Sequence, residues 1–523
     1  MRIPIVLYGL ALVVRLVLIW HFPDPAYPDS FYYVDVARGL VAGHGFNIDL
    51  IWIFPEVGGT IPANPTLPIP SNAHWMPLAS LVQVPFLAAL GPDAIASALP
   101  FALIGSIAAP LTWAMARDAA ASSAVAIGAG VLVAIPVMSV VYMAQPDNFS
   151  LYQPLVLASL WMGARALKGS PRAFAAAGLL AGLATLSRND GLLVLGALGL
   201  AFLWDRWRRR AIPWSAAVAC VALFVLVMAP WWLRQLAVFG SISPSTASGK
   251  VLFIRDIAEW NSITTPATLD HLLGMGIGPF VVTRLGGLVA AVMIYATLVG
   301  GFVLVPFMII GGWIRRRSLD FGPFLLYAAL LFGFSTLVSA VHVPGGTFIH
   351  SAVALAPHSY VLALEGIAVA VAWIAARRPT WRAETATSAF TGAAVVFAIG
   401  AAVVGSAFVH GVWSDSRAKF RQVAEALTAA KAPVTDRVMS IDAAGTKYWT
   451  GRGGVVLVND PLETIRDVML AYDIRWLVID RDDSVAPIAP ILDGGARPAW
   501  LGEPILLAGQ PTRLAVFPVE SGS

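Results

Sequence analysis

The sequence predicts a polytopic α-helical membrane protein of about eleven spans, followed by a small C-terminal α/β domain. Three observations predict it. Of 523 residues, 58% are hydrophobic and only 12% are charged, whereas a globular chain carries about a quarter charged residues. The apolar residues are grouped in runs near the length that crosses a bilayer, roughly 20 residues. After about residue 412 those runs give way to shorter apolar strands alternating with amphipathic helices.

The first element is the apolar stretch 3–20, preceded by Arg2. No small-residue cleavage pattern follows it, because "HFPDPAYP" comes next, so it reads as a retained span. Further spans are expected at 94–116, 122–143, 150–167, 172–187, 190–205, 213–238, 283–313, 322–341, 350–376 and 388–410. The pair 172–187 and 190–205 is separated only by "LSRND", which predicts one tight hairpin. The piece 76–90 is too short to cross and holds Pro77 and Pro85.

Charge decides how 76–90 is treated. If it stays at the interface, Arg2, Arg117, Lys168, Arg172, "RWRRR" (206–210), "RRR" (315–317) and "RRPTWR" (377–382) all fall on one side. The opposite loops, 21–93, 144–149, 188–190, 239–282 and 342–349, then hold only Arg38, Arg188, Lys250 and Arg255 among the basic residues weighed. Lys and Arg concentrate on the cytoplasmic side. The expectation is a bacterial plasma membrane protein with its N-terminus in the cytoplasm and its C-terminal domain outside. The predicted division is a membrane module, 1–411, with external loops 21–93 and 239–282, and an extracytoplasmic domain, 412–523.

Within the C-terminal domain, "SRAKFRQVAEALTAAKA" reads as an amphipathic helix. "RVMSI", "GVVLV" and "IRWLVID" read as strands, with helices at "AAGTKYW" and "PLETIRDVMLAY". Continuous apolar strands alternating with helices predict a largely parallel sheet. No GxGxxG, Walker A or nucleophile-elbow pattern is present, which leaves nucleotide binding unsupported. The formal charge is small and the basic residues are clustered, a pattern that says membrane orientation rather than nucleic acid, so no nucleic-acid partner is expected. The single cysteine, Cys220, lies in an apolar run and reads as a buried side chain.

The candidate chemistry lies in the external loops. Asp29 follows Pro28 just beyond the first span. A carboxylate there can act as a base toward a hydroxyl or ligate a metal, or it can cap the helix expected over "SFYYVDVARGLVAG". Asp35 lies on another face of that helix, solvated or paired with Arg38. Asp147, after Pro146, is expected on the same external face as Asp29, and a divalent metal held by Asp29 and Asp147 is one option. Arg188 and Asp190 pair with each other, or Arg188 binds a lipid phosphate through its guanidinium fork. His74, Lys250, Arg255, Arg284, His342 and His350 are further external cations. Arg15, inside the first span, is read as structural. Polar groups converging at one rim point to an enzyme. The alternative is a transporter or flippase for a lipid-linked or anionic substrate, which would place such groups at the midplane in matching repeats.

The stretch "YPDSFYYVDVARGLVAGHGF" (27–46) resembles the first external loop of GT-C fold, polyprenyl-phosphate-sugar-dependent glycosyltransferases. These include the protein O-mannosyltransferase-like family and the aminoarabinose–lipid A transferases. The matching residues are Asp29, Tyr33, Ala37, Leu40, Gly43, Gly45 and Phe46, with Arg15 in the preceding span. "HWMPLASLVQVPFLAALG" resembles their interfacial helix, and "AAAGLLAGLATLSRNDGLLVL" a later segment. The resemblance covers residues 1 to about 240. It implies inverting transfer from a polyprenyl-phosphate sugar to an extracytoplasmic glycan, lipid or protein acceptor. It implies Asp29 as the catalytic aspartate and Asp147 as a second acidic residue. Under that reading the donor phosphate is expected near Arg188, His74 or His350, with His342, Lys250 and Arg255 as further candidates.

Overall fold

A computed structural model describes residues 2–378, 380–483 and 485–520. Pro379 of the "RRPTWR" cluster and the last three residues of the predicted domain lie outside the described residues. The chain divides into two compact units. The first comprises Met1–Asp24, Met76–Trp231 and Val282–His410; the second comprises Pro25–Trp75, Trp232–Val281 and Gly411–Ser523.

The first unit is helical. Its opening helix, Arg2–His21, buries Leu7, Ala11, Arg15 and Ile19, an i, i+4 stripe on one face. Small residues let helices approach closely elsewhere. A Cβ at Gly311 would lie 2.0 Å from Leu362 O, and one at Gly366 would lie 2.1 Å from Phe307 O. Helices Val305–Arg315 and Ala356–Ala375 therefore touch backbone to backbone, as small residues permit between membrane helices. The predicted hairpin is present: Arg172–Ser187 and Leu192–Arg208 flank a 3-10 turn, Asn189–Gly191. Gly191 is required there, since its Cβ would meet Thr185 N at 2.5 Å.

Among the described residues, six helices are long and apolar enough to cross a membrane: Arg2–His21, Ala94–Asp118, Trp214–Phe239, Ile277–Leu298, Thr347–Ala375 and Ala383–Ala429. The remaining apolar helices are shorter or more polar. Several expected boundaries are corrected. The segment 122–143 is helical only over Ser123–Ala134, because Pro136 lacks the amide and has the ring that stop a helix. The segment 283–313 is two helices, Ile277–Leu298 and Val305–Arg315. Between them the "GGF" at 300–302 takes positive φ at Gly301 and Phe302. The span 388–410 and the amphipathic segment after it form one helix, Ala383–Ala429. The piece 76–90 is two short helices, Leu78–Leu81 and Val84–Leu90.

The second unit is built on sheets. Strands β1 (Asn47–Ile48) and β3 (Ile69–Pro70) form an antiparallel pair. The main sheet contains β2 (Leu50–Ile51), β4 (Arg437–Ser440), β5 (Gly454–Val456), β6 (Ile474–Asp480), β7 (Leu506–Ala508) and β8 (Leu514–Pro518), in the order β2-β5-β4-β6-β8-β7. The first four are parallel, and β8 and β7 are antiparallel. Helix Ala443–Thr450 makes the crossover between the parallel neighbours β4 and β5, and Leu462–Ala471 carries the chain from β5 past β4 to β6. The two-residue β2 comes from the loop after the first span and pairs with Gly454–Val455. Glycines make the fit: a Cβ at Gly454 would lie 1.8 Å from Val438 O, and one at Gly453 would lie 2.2 Å from the Asp49 carboxylate. Helix Pro28–Val41 packs on Ala443–Thr450 through Phe31, whose ring lies 5.2 Å from Tyr448 and 5.7 Å from Phe420.

Candidate active site

In the first unit, the segment between Pro136 and helix Phe149–Leu167 holds only a short 3-10 turn, Tyr142–Ala144. Asp147 lies just before that helix and is wholly buried. Its Oδ1 accepts the Asn148 amide at 2.5 Å, and its Oδ2 lies 3.6 Å from His350 Nδ1. The same imidazole nitrogen is 3.3 Å from Asn148 Oδ1. His350 stacks on Phe149 with centroids 4.2 Å apart. Gln153 donates to Val353 O at 2.8 Å and fastens the helix to the segment carrying the histidine.

A second cluster joins this one. Arg188 Nε donates to Asp190 at 2.8 Å and to Ser351 Oγ at 3.2 Å, and its Nη2 donates to Thr347 O at 3.0 Å. Ser351 donates to Asp190 in turn. Thr347 Oγ1 donates to His342 O at 3.0 Å. Asp190 and Arg188 act electrostatically on Tyr152 and Tyr327, whose hydroxyls are 3.0 Å apart. Arg188 also acts on His350. The structure thus brings together Asp147, Arg188, Asp190 and His350, with His342 at the edge. Sequence reasoning missed Asn148, Ser351, Tyr152 and Tyr327. Only Asn148, beside Asp147, had a local signal.

Such a cluster is costly to bury unless its charges are paired and hydrogen-bonded. Arg188 with Asp190 meets that condition. The Asp147 carboxylate and the His350 imidazole form a donor set that suits a divalent cation such as zinc. Arg15 is wholly buried, and among the described residues only its Nη1 donates, to Ala11 O at 3.1 Å.

Asp29 belongs to the second unit. It does not cap its helix: the helix is Pro28–Val41, so Asp29 is inside the first turn and Tyr27 holds the cap position. Pro28 can begin the helix because its missing amide has no intrahelical partner there. The wholly buried Ser30 locks the entry, its Oγ accepting from Ala26 N and Tyr27 N and donating to Tyr27 O. Asp29 is half-buried, at the end where the helix dipole favours a negative charge.

The loop behind Asp29 is held by a buried network. Tyr32 donates to Glu56 Oε1 at 2.8 Å, Trp52 N donates to Oε2 at 3.1 Å, and Asn72 N donates to the Tyr32 oxygen at 2.8 Å. Gln235 donates to Asn72 O. Burial raises the Glu56 carboxyl to about 7, against the lowering effect of its donors.

The remaining candidates have separate surroundings. His74 lies among Trp52, Trp75 and Trp260, with centroids 6.0, 4.8 and 5.8 Å away. Lys250 donates to Thr265 O at 2.6 Å, and burial lowers its ammonium. Arg255 donates to His271 O at 2.5 Å. Asp35 has Lys447 3.8 Å away, and both Lys447 and Arg38 act on its carboxylate; Arg38 also lies over the Tyr448 ring. Arg284 is buried in helix Ile277–Leu298.

Residues 74–233 match the family described as dolichyl-phosphate-mannose-protein mannosyltransferase. That region contains His74, Asp147 and Arg188. No curated protein matches the chain. Among solved structures, ArnT from Cupriavidus metallidurans bound to undecaprenyl phosphate is similar with a TM-score of 0.59 and 14% identity, over 98% of this chain and 97% of that one. The oligosaccharyltransferase of Archaeoglobus fulgidus in complex with Zn and sulfate is similar with a TM-score of 0.58 and 13% identity, over 92% of this chain and 68% of that one. Its apo form is similar with a TM-score of 0.55 and 15% identity. These likenesses show the fold, which is that of the GT-C membrane glycosyltransferases.

Proposed function

We propose that this chain, a membrane protein with the GT-C glycosyltransferase fold, moves a sugar from a polyprenyl-phosphate donor to a hydroxyl on an extracytoplasmic acceptor, with inversion. The observation that carries the reading is the cluster of the buried Asp147 and His350 with the partly exposed Arg188–Asp190 pair, in a chain of this fold. The solved relative bound to undecaprenyl phosphate supports a lipid-phosphate donor.

In this reading Asp29 is the base. The acceptor oxygen attacks the anomeric carbon as its proton passes to the Asp29 carboxylate. The bond between the anomeric carbon and the phosphate oxygen breaks, and the electron pair leaves with the polyprenyl phosphate. Positive charge near that phosphate stabilises the departing group. Arg188 supplies it, already oriented by Asp190, Ser351 and Thr347. A divalent cation would be held by Asp147 and His350, where it would supply further positive charge for the phosphate. The Lys and Arg distribution supports a cytoplasmic N-terminus and an external C-terminal domain.

The test is sugar transfer from a labelled polyprenyl-phosphate sugar pool in membranes, comparing wild type with Asp29→Asn. Loss of transfer with normal insertion is expected. Unchanged transfer removes Asp29 from the mechanism. No transfer by wild type across donors and acceptors moves the assignment to a transporter.

A further inference from the structure

Away from the residues assigned above, the second unit contains a cavity of about 720 Å³. Helix Pro28–Val41, the loop after it and helix Ala443–Thr450 contribute its polar lining: Asp35, Arg38, His44, Asn47, Asp49 and Lys447. Ala42, Ile48 and Pro68 give it an apolar wall.

Its charges are arranged unusually for a salt bridge. Lys447 Nζ lies 3.8 Å from the carboxylates of both Asp35 and Asp49. That is beyond hydrogen-bonding distance. The Asp35 and Asp49 side chains make no hydrogen bond among the described residues. Lys447 therefore balances both carboxylates without using up their acceptor positions. Burial raises the Asp35 carboxyl, and Lys447 and Arg38 oppose that shift. A carboxylate largely withdrawn from water and lacking donors is a group that a ligand's hydroxyls would satisfy.

The chemistry of the lining selects among ligands. Two carboxylates face two cations, so neither a free anion nor a free cation is favoured. A divalent cation would have to displace Lys447. What fits is a neutral molecule that both donates and accepts many hydrogen bonds and also offers an apolar C–H face. We propose that this cavity is a saccharide-binding site, and that the acceptor of the transfer reaction is a neutral glycan rather than a protein side chain or a lipid headgroup. The proposal rests on the glycosyl-transfer reading above. The same helix links the two sites: Asp35 is six residues from the proposed base Asp29, about 9 Å along the helix at 1.5 Å per residue. Six residues also turn Asp35 about 120° around the helix from Asp29, so a short oligosaccharide seated at Asp35 and Asp49 would wrap around the helix to reach the base.

The experiment uses the purified full-length protein in detergent and an array of short neutral oligosaccharides. Two variants probe the cavity: the double substitution Asp35→Asn with Asp49→Asn, and Ala42→Trp, which fills the space from an exposed position with every charge retained. The wild type is expected to bind at least one arrayed glycan, and each variant to bind it about tenfold or more weakly. With that glycan as acceptor, the acceptor KM rises by a similar factor while the donor KM does not move. Asp29→Asn is expected to bind the glycan like wild type while its kcat falls by about 10²- to 10⁴-fold. An array that the wild type leaves blank overturns the proposal. So does an Ala42→Trp protein with unchanged glycan binding and unchanged acceptor KM. Glycan binding without transfer by wild type sinks the transferase reading alone.

Discussion

The chain writes nearly the same four letters twice. "PDSF" at 28–31 and "PDNF" at 146–149 each put a proline and an aspartate at the start of a helix. The structure uses them differently. At the first, the helix begins at Pro28 and leaves Asp29 half-buried in its opening turn. At the second, the helix begins at Phe149 and leaves Asp147 outside it, wholly buried against His350. The residue after the aspartate takes a different part in each. Ser30 turns its hydroxyl back onto the preceding amides and tightens the helix entry. The longer Asn148 side chain reaches out to the histidine instead. One motif thus yields a partly open carboxylate suited to taking a proton and a sealed one suited to holding a cation.

The sharpest way to break that contrast is to neutralise each aspartate in turn. Asp29→Asn is expected to lower kcat by about 10²- to 10⁴-fold, the usual contribution of a general base. Asp147→Asn and His350→Ala are each expected to cost about 10- to 100-fold. Raising the concentration of a divalent cation should partly restore those two and leave Asp29→Asn unchanged. Equal rescue of all three, measured as initial transfer rates across a cation titration, would remove the distinction between the two carboxylates.

The next effect is on stability. The loop that follows Asp29 is anchored by β2, whose Leu50 is wholly buried. Leu50→Ala is expected to cost about 2–5 kcal/mol. Hydrogen exchange should speed up over residues 25–75 and stay slow over 144–153. Faster exchange in both regions would show that the two motifs are not independently supported. Ser30→Ala is smaller, about 1–2 kcal/mol, because it removes one buried hydroxyl from a helix entry. It should show in transfer chiefly through the positioning of Asp29.

These residues also show what the sequence makes readable. Apolar run length located the helical regions, and continuous apolar strands located β4, β5 and β6. The hairpin at Arg188 was legible because only a few polar letters separate two apolar runs. Breaks inside apolar runs were harder. Pro136 and the Gly300–Gly301 pair are small local marks in long hydrophobic stretches, so 122–143 and 283–313 read as single spans. The two residues of β2 carry no period, and their pairing with β5 joins positions about 400 apart in the chain. The same limit applies to the candidate site. Asp147 and Arg188 stood out as charges at helix ends, whereas Ser351, Tyr152 and Tyr327 are ordinary letters within apolar helices. Their role comes only from which helices pack together.

The smallest expected effect tests whether the Asp29 loop carries a titrating brace. Glu56 is buried and accepts from Tyr32 and the Trp52 amide, yet burial raises its carboxyl from 4.5 to about 7. Between those two values the folded chain keeps a proton that the unfolded chain has lost. Folding therefore binds a proton, and stability declines as pH rises from about 4.5 to about 7, then levels off. Glu56→Gln cannot ionise. Its carbonyl can still accept from the Trp52 amide, and its amide can donate to the Tyr32 oxygen, which loses the acceptor for its own hydrogen. The variant is expected to melt below wild type at pH 5, by an amount on the order of 1 kcal/mol. The gap should shrink or reverse by pH 8, because only the wild type bears the cost of ionising Glu56. Melting curves recorded across that range decide it. A gap that stays constant with pH would mean that Glu56 keeps one protonation state throughout, and that the brace behind Asp29 does not titrate.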